Sequence, residues 1–299
     1  MECASPRVVE RGAPRRGLVG GVGMSSAGTG SRWHRVLATA IVAVGWMVLL
    51  MPGEAWAQFY VNQPEVEKGE IELEEHGAIF SGPGGDERLR QSHELEAYYG
   101  LTDRWLLITE GFFEQPIGEN LEATEFEMGG QYELVKREGD GFDAAFRTIY
   151  AATKDEADEL LFGPIVKYVY GRDSTTLNTY FIGQLGDDTE IDSLEFKYKW
   201  QLKHELTHRV AFGVEAFGKI EDLSNAGSFN DQLHRAGPVI YLNFGQEAED
   251  AETGEHEYEE TEHEQETEAP ELKLAGGVLF GLSDAASDVT FKFDAELEF

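Results

Sequence analysis

The sequence predicts an all-β chain folded as an antiparallel transmembrane β-barrel of about twelve strands, closed by pairing of the C-terminal strand with the first. The final stretch is the first observation behind this. Val289, Phe291, Phe293, Ala295, Leu297 and Phe299 alternate without a break with Thr290, Lys292, Asp294, Glu296 and Glu298. This is a period-2 strand with one wholly apolar face. In a soluble domain such a strand is an edge open to aggregation, whereas a closed barrel pairs it and turns its apolar face to lipid. The second observation is an export-like leader, and the third is a series of segments of roughly ten residues separated by turn signals.

The leader comes first in the chain. Arg32 and Arg35 precede an uncharged apolar run from Val36 to Met51, followed by Pro52-Gly53 and Ala55-Trp56-Ala57. That is the order of a secretory signal peptide, with cleavage expected between Ala57 and Gln58. An apolar run of roughly 16 residues is short of the ~20 needed to span a bilayer as a helix. Residues 1–57 are therefore assigned to a signal peptide with an extended n-region and residues 58–299 to the barrel. Cys3, the only cysteine, lies in the leader, so no disulfide or thiol chemistry is expected after it, and no cysteine there could receive a lipid.

The whole chain holds 24 Lys+Arg against 57 Asp+Glu, a formal charge of −33. The leader is itself rich in arginine, so the part beyond it is more acidic still. Such a surface repels nucleic acid and attracts cations. No later segment approaches a transmembrane helix, and only helices and closed barrels satisfy the backbone in lipid.

Alternation and turn residues place strands at Gly69 to Ser81, Gln91 to Gly100, Trp105 to Gln115, Glu122 to Val135, Phe142 to Thr153 and Leu160 to Gly171. Further strands follow at Thr175 to Gly186, Ile191 to Lys203, His208 to Lys219, His234 to Gly245, Glu271 to Leu282 and Val289 to Phe299. An even count puts both termini on the periplasmic side. Alternation is clearest in the fourth strand, where Phe126, Met128, Tyr132 and Leu134 oppose Glu125, Glu127, Gln131 and Glu133, and in the eighth, where Leu194, Phe196, Tyr198, Trp200 and Leu202 oppose Glu195, Lys197, Lys199, Gln201 and Lys203. The apolar series is expected to face lipid and the charged series the lumen. Tyr98, Tyr99, Trp105, Tyr168, Tyr170 and Trp200 suit aromatic girdles at the two interfaces.

His93-Glu94-Leu95-Glu96, Tyr99-Gly100-Leu101-Thr102-Asp103-Arg104-Trp105 and Gly277-Val278-Leu279-Phe280-Gly281-Leu282-Ser283-Asp284-Ala285-Ala286 carry a resemblance to a known family. With the closing aromatic strand they resemble the outer-membrane proteins grouped under the meta-pathway of phenol degradation. The resemblance implies an outer-membrane location and a transporter-like role and leaves the substrate open; an open lumen is expected to pass small solutes, small aromatic or other hydrophobic compounds among them. From the apolar terminal strand itself, contact with outer-membrane lipid and with the barrel-assembly machinery through that strand and Phe299 is expected. The acidic insert between Gln246 and Pro270 departs from the family's pattern.

Assigned by strand, the inward charges form two expected walls. Glu70, Glu72, Glu74, Glu94, Glu96, Glu125, Glu127, Glu133, Asp294, Glu296 and Glu298 make an acidic wall. Arg147, Lys167, Lys197, Lys199, Lys203, Arg209, Lys219 and Lys273 lie on the opposite arc. A lumen divided in this way carries a transverse field that focuses ions. The competing expectation is a narrow barrel plugged by ion pairs.

The insert from Gln246 to Pro270 has twelve carboxylates, His256 and His263, and no Lys or Arg. Charge repulsion makes it a disordered loop, with weak divalent-cation binding through His256 and His263 as the alternative. By parity it falls on the periplasmic side. No cofactor is expected. His204-Glu205-Leu206-Thr207-His208 has the spacing of a zinc-protease motif, but that chemistry needs a helix. Here the five residues lie between two alternating strands and read as a hairpin turn. A non-enzymatic outer-membrane channel or transporter is the expectation. The alternatives are a non-conducting protein that binds divalent cations through its acidic loop and, third, a barrel hydrolase.

Overall fold

The structure, a computed structural model, describes residues 59–81, 89–154, 157–186, 193–245 and 270–299. The leader, Cys3, the expected cleavage site, His256, His263 and all of the acidic insert but Pro270 lie outside these residues.

Twelve antiparallel strands close into one barrel in which each pairs with its neighbours in sequence and the last with the first. They are β1 (Ile71–Ser81), β2 (Leu89–Gly100), β3 (Trp105–Pro116), β4 (Glu122–Val135), β5 (Gly141–Thr153) and β6 (Asp158–Tyr170). β7 (Asp173–Leu185), β8 (Glu195–Thr207), β9 (Val210–Ile220), β10 (Leu233–Asn243), β11 (Glu271–Gly281) and β12 (Val289–Glu298) complete the ring. The seam runs from Glu72 opposite Glu298 to Ser81 opposite Val289. Beyond the seam's end, the Phe299 N–H donates to the Ile71 carbonyl at 2.9 Å. Closure leaves no unpaired edge, the condition for a barrel in lipid.

We call the rim holding Ile71 and Phe299 the near rim. The end of β10 at Asn243 and the start of β11 at Glu271 lie at that rim. The expected strand ends hold within a few residues except at β8, which runs four residues later and carries His204 to Thr207 as strand; the turn is His208-Arg209. The β9–β10 connection at the far rim makes two short 3-10 turns. Hydroxyls of Ser193 and Ser224 donate to Asp222 there and hold its carboxyl below the ordinary range.

Period-2 alternation sorts the faces. On β5, Phe142, Phe146 and Tyr150 are exposed while Asp143, Ala145, Arg147, Ile149 and Ala151 are buried. Near the near rim, outward rings meet across strands, with Trp105 and Tyr132 centroids 4.8 Å apart and Phe142 and Tyr168 4.6 Å apart. Tyr98 is a correction to the expected girdle: it falls on the inward parity of β2 and is buried in the lumen, with the Arg147 guanidinium over its ring.

The lumen holds the chain's own residues 59–68, a feature with no period to mark it. Gly69 takes φ 89°, which glycine adopts without strain, and its N–H donates to the Gly100 carbonyl at 2.7 Å. Gly100 lies so close to the Glu67 backbone that a Cβ there would sit 1.7 Å from the Glu67 carbonyl oxygen. From this turn the segment runs up inside the barrel. Lys136 donates to the Val66 carbonyl near the near rim, and Phe59 packs with Val61, Ala78, Phe80, Phe217 and Leu279 toward the far one. On the side of β1, β9 and β11 the far half of the lumen is thus taken up by an apolar cluster, with the Arg235 guanidinium 5.2 Å over the Phe59 ring.

Candidate functional site

The site is the polar lumen between that apolar cluster and the near rim. Inward parity on successive strands stacks carboxylates from β1, β2, β3 and β12, and β-pairing sets opposed residues a few ångström apart. A cavity of about 760 Å³ occupies the near half, lined among others by Tyr60, Glu72, Glu74, His76, Arg147, Lys203, Tyr241, Lys273, Asp294 and Glu296.

Every expected wall residue lies inside the barrel or at the near rim. Glu70, Glu72, Glu74, Asp294, Glu296 and Glu298 line the cavity. Glu94, Glu96, Glu127 and Glu133 are buried, and Glu125 accepts a hydrogen bond from Thr153 at 3.0 Å. Lys197 and Lys199 are buried with Glu94, Glu110 and Glu127 around a small void, and Arg209 stands exposed at the β8–β9 turn.

The charges do not keep to opposite arcs. Lys292 lies on β12 among the acids, buried, with its Nζ 2.6 Å from Glu215 and 2.9 Å from Asp294. Arg147 contacts Glu110 at 3.3 Å, Lys219 contacts Glu195 at 3.1 Å, and Lys273 contacts Glu296 and Glu298 at 2.6 and 2.7 Å. Strand parity alone would have added Glu110, Glu195, Glu215, Arg235 and Lys292 to the inward set, since each follows the alternation of its own strand. The lumen is closely paired rather than split into two fields.

Residues 59–68 take up much of the remaining polar capacity. Asn62 donates its backbone N–H to Asn178 at 2.9 Å, and its side-chain oxygen accepts from Tyr180 at 2.9 Å and Lys199 at 3.3 Å. Gln131 donates to the Gln63 carbonyl at 2.9 Å, and Glu65 pairs with Lys167 and Arg137. Tyr60 stacks on His76 with centroids 4.0 Å apart. No sequence signal marks these contacts, because the segment has neither helical nor strand periodicity.

His76 sits within the acidic group. Its Nδ1 is 3.1 Å from Asp294, and its Nε2 is 2.7 Å from Glu74 and 3.5 Å from Glu96. A second acid–histidine pair faces outward: Glu75 and His93 share that parity and meet at 2.6 Å, and the Phe293 ring lies against His93. The remaining motif does not form a zinc site. His204 is on the outward face of β8, where it pairs with Asp173, Glu205 is on the inward face, and His208 is in the turn.

No family model matches the chain, and no curated protein matches it. The resemblance to the phenol-degradation barrels therefore gains no support from these comparisons. Among solved structures the chain is similar to OccK7 (OpdD) of Pseudomonas aeruginosa, with 10% identity over 71% of this chain and 55% of that one at a TM-score of 0.34. It is also similar to OpdQ of the same organism, with 8% identity over 74% and 59% at 0.33, and to OmpT, an outer membrane protein of Vibrio cholerae, with 9% identity over 81% and 99% at 0.30. The chain thus spans less than two thirds of the length of the first two. TM-scores this far below 0.5 leave fold and function to be argued from the chain itself.

Proposed function

We propose that this chain is an outer-membrane barrel that admits small cationic or polar solutes through the acidic near-rim cavity and is closed by its own residues 59–68. Among the described residues no helix is long and apolar enough to cross a membrane. The outward faces are mainly apolar and the ring is closed, which is the remaining way to span lipid. On this reading the outward faces contact outer-membrane lipid, the barrel-assembly machinery reads the strand ending at Phe299, and the near rim faces the periplasm.

The observation that carries the closure is the way residues 59–68 fill the lumen. They are continuous with the barrel wall only at Gly69, and the bonds that hold them in mid-lumen are individual contacts to Asn178, Tyr180, Lys199 and Gln131. The packing of Phe59 and Val61 and the ion pairs of Glu65 add to these contacts, but no strand pairs with the segment, so its withdrawal breaks no rung of the wall. Its tether lets it withdraw only through the near rim. Inward carboxylates then favour cations along the path.

Planar-bilayer recording tests this. The wild-type barrel is expected to be silent or to open briefly, and a variant lacking residues 59–66 to give steady, cation-selective steps. In that variant, changing Glu94, Glu96 and Glu127 to Gln should shift the reversal potential toward anions, and changing Lys197, Lys199 and Lys203 to Gln should shift it the other way. A deletion variant that shows the heat-modifiable migration of a folded barrel yet conducts nothing would overturn the channel reading in favour of a non-conducting binding protein.

A further inference from the structure

Closure brings the inward face of β1 against β2 and β12, so that one imidazole stands among three carboxylates. His76, Glu74 and Glu96 offer ligand atoms that all lie within 4.8 Å of one another, and all three side chains are buried, each 1% exposed. Two further features distinguish this from a solvated acidic patch. The Glu96 Oε2 is buried without a hydrogen-bond partner, and so is the Oε2 of the adjacent Glu94. An unpaired buried carboxylate oxygen costs roughly 1–3 kcal/mol or more, so it marks the place where a positive group belongs. The second feature is the orientation of the ring. Asp294 stands 3.1 Å from His76 Nδ1, on the side away from Glu74 and Glu96, leaving Nε2 to face both. A carboxylate behind the imidazole, with its other nitrogen turned toward two further carboxylates, is the arrangement that orients a histidine as a metal ligand.

We propose that the lumen binds one divalent transition-metal ion, of the zinc class, through His76 Nε2 and the carboxylates of Glu74 and Glu96, with Asp294 orienting the ring. A mixed nitrogen and oxygen donor set suits borderline ions such as Zn(II) better than Ca(II) or Mg(II), which take oxygen donors alone. Zn–N and Zn–O distances of about 2.0–2.2 Å set two ligand atoms of a tetrahedral site roughly 3.4 Å apart. Glu96 at 3.5 Å from Nε2 stands near that spacing, and Glu74 at 2.7 Å has to draw back slightly to let an ion in. The cavity wall includes Glu74, His76 and Asp294, so an ion reaches the site from the near rim, and Tyr60 of the luminal segment lies flat on the imidazole as a cover. This site does not depend on conduction: it can be filled in a barrel that never opens.

The test is calorimetric titration of the folded full-length barrel with zinc chloride, with the visible spectrum of a Co(II) titration as a second readout. A variant carrying His256→Ala and His263→Ala removes the histidines of the acidic insert and should keep one bound Zn(II) per chain. In that background Glu96→Gln, which preserves shape, should weaken binding at least tenfold, and Asp294→Asn should weaken it by roughly 10–100-fold. His76→Gln should abolish the Co(II) ligand-field bands. Folding of each variant is checked by heat-modifiable migration, and Glu96→Gln suffices if His76→Gln fails to assemble. The proposal is overturned if no Zn(II) binds at micromolar concentration, if the insert histidines account for all binding, or if folded Glu96→Gln binds as the parent does. A barrel that conducts after deletion of residues 59–66 but binds no zinc overturns this site and leaves the channel standing.

Discussion

Lys292→Met is the substitution that best separates a dry, paired lumen from a wet one. The Lys292 Nζ lies 2.6 Å from the Glu215 Oε2 and 2.9 Å from the Asp294 Oδ2, with side-chain exposures of 1%, 2% and 9% for the three residues. It joins β12 to β9 across the lumen, and methionine keeps its length while removing the charge. Removing one partner of a buried pair typically costs about 3–5 kcal/mol, because the other charge stays buried. Here part of the loss is cushioned. Tyr241 and Gln201 still donate to the Glu215 Oε1 at 2.7 and 3.1 Å, and His76 still faces Asp294. The expected cost is therefore near the lower end, about 3 kcal/mol. Adding Glu215→Gln removes the stranded charge and should restore more than half of that loss, the sign of coupling that a double-mutant cycle measures. The assay is urea unfolding of the barrel in lipid vesicles, followed by tryptophan fluorescence with reversibility shown by refolding. Exposed pairs are worth only about 0.2–1 kcal/mol. A loss below about 1 kcal/mol for Lys292→Met would mean that water screens these charges and would refute the closed-lumen account.

Two further outcomes follow from the wall and from the entry of the luminal segment. Phe293→Asp should lower the amount of assembled barrel: Phe293 faces outward and its ring covers Gly77, where a Cβ would lie 2.0 Å from it. A carboxylate on the lipid face costs somewhat less than the roughly 2–4 kcal/mol of a mid-plane Lys or Arg, and the lost ring contact adds to that. Normal assembly in outer-membrane fractions would show that this face does not meet lipid. Gly100→Val should unseat residues 59–68, since its side chain would collide with the Glu67 carbonyl 1.7 Å from the Cβ position. The barrel should still fold, and protease added from the near-rim side should then cut near Gln63. A protected segment in the folded variant would count against the tight turn as the point that admits the chain to the lumen.

The sequence by itself determined the wall. Side chains in a strand alternate with a period of two, so Phe291 and Phe293 had to share one face and Asp294 and Glu296 the other, whatever the rest of the chain did. That rule carried the strand count, the outward apolar face, the pairing of β12 with β1 and the side on which most charges lie. Because β8 runs on through Thr207 where the sequence had suggested a turn, the same rule puts His204 and Glu205 on opposite faces, which dissolves a metal motif that needs a helix. Only the tertiary structure decided how the interior is filled. Residues 59–68 have no period, and their path is set by a turn at Gly69 and by contacts such as Asn62 with Asn178, 116 residues apart. The meeting of His76 with Asp294 spans 218 residues and exists only once the ring has closed. The pairing of Lys292 with Glu215, which breaks the division of charge into two arcs, likewise crosses the lumen from β12 to β9. A local pattern fixes which way a side chain points, whereas its partner across the barrel depends on register and on the small diameter of the ring. Both are properties of the assembled sheet.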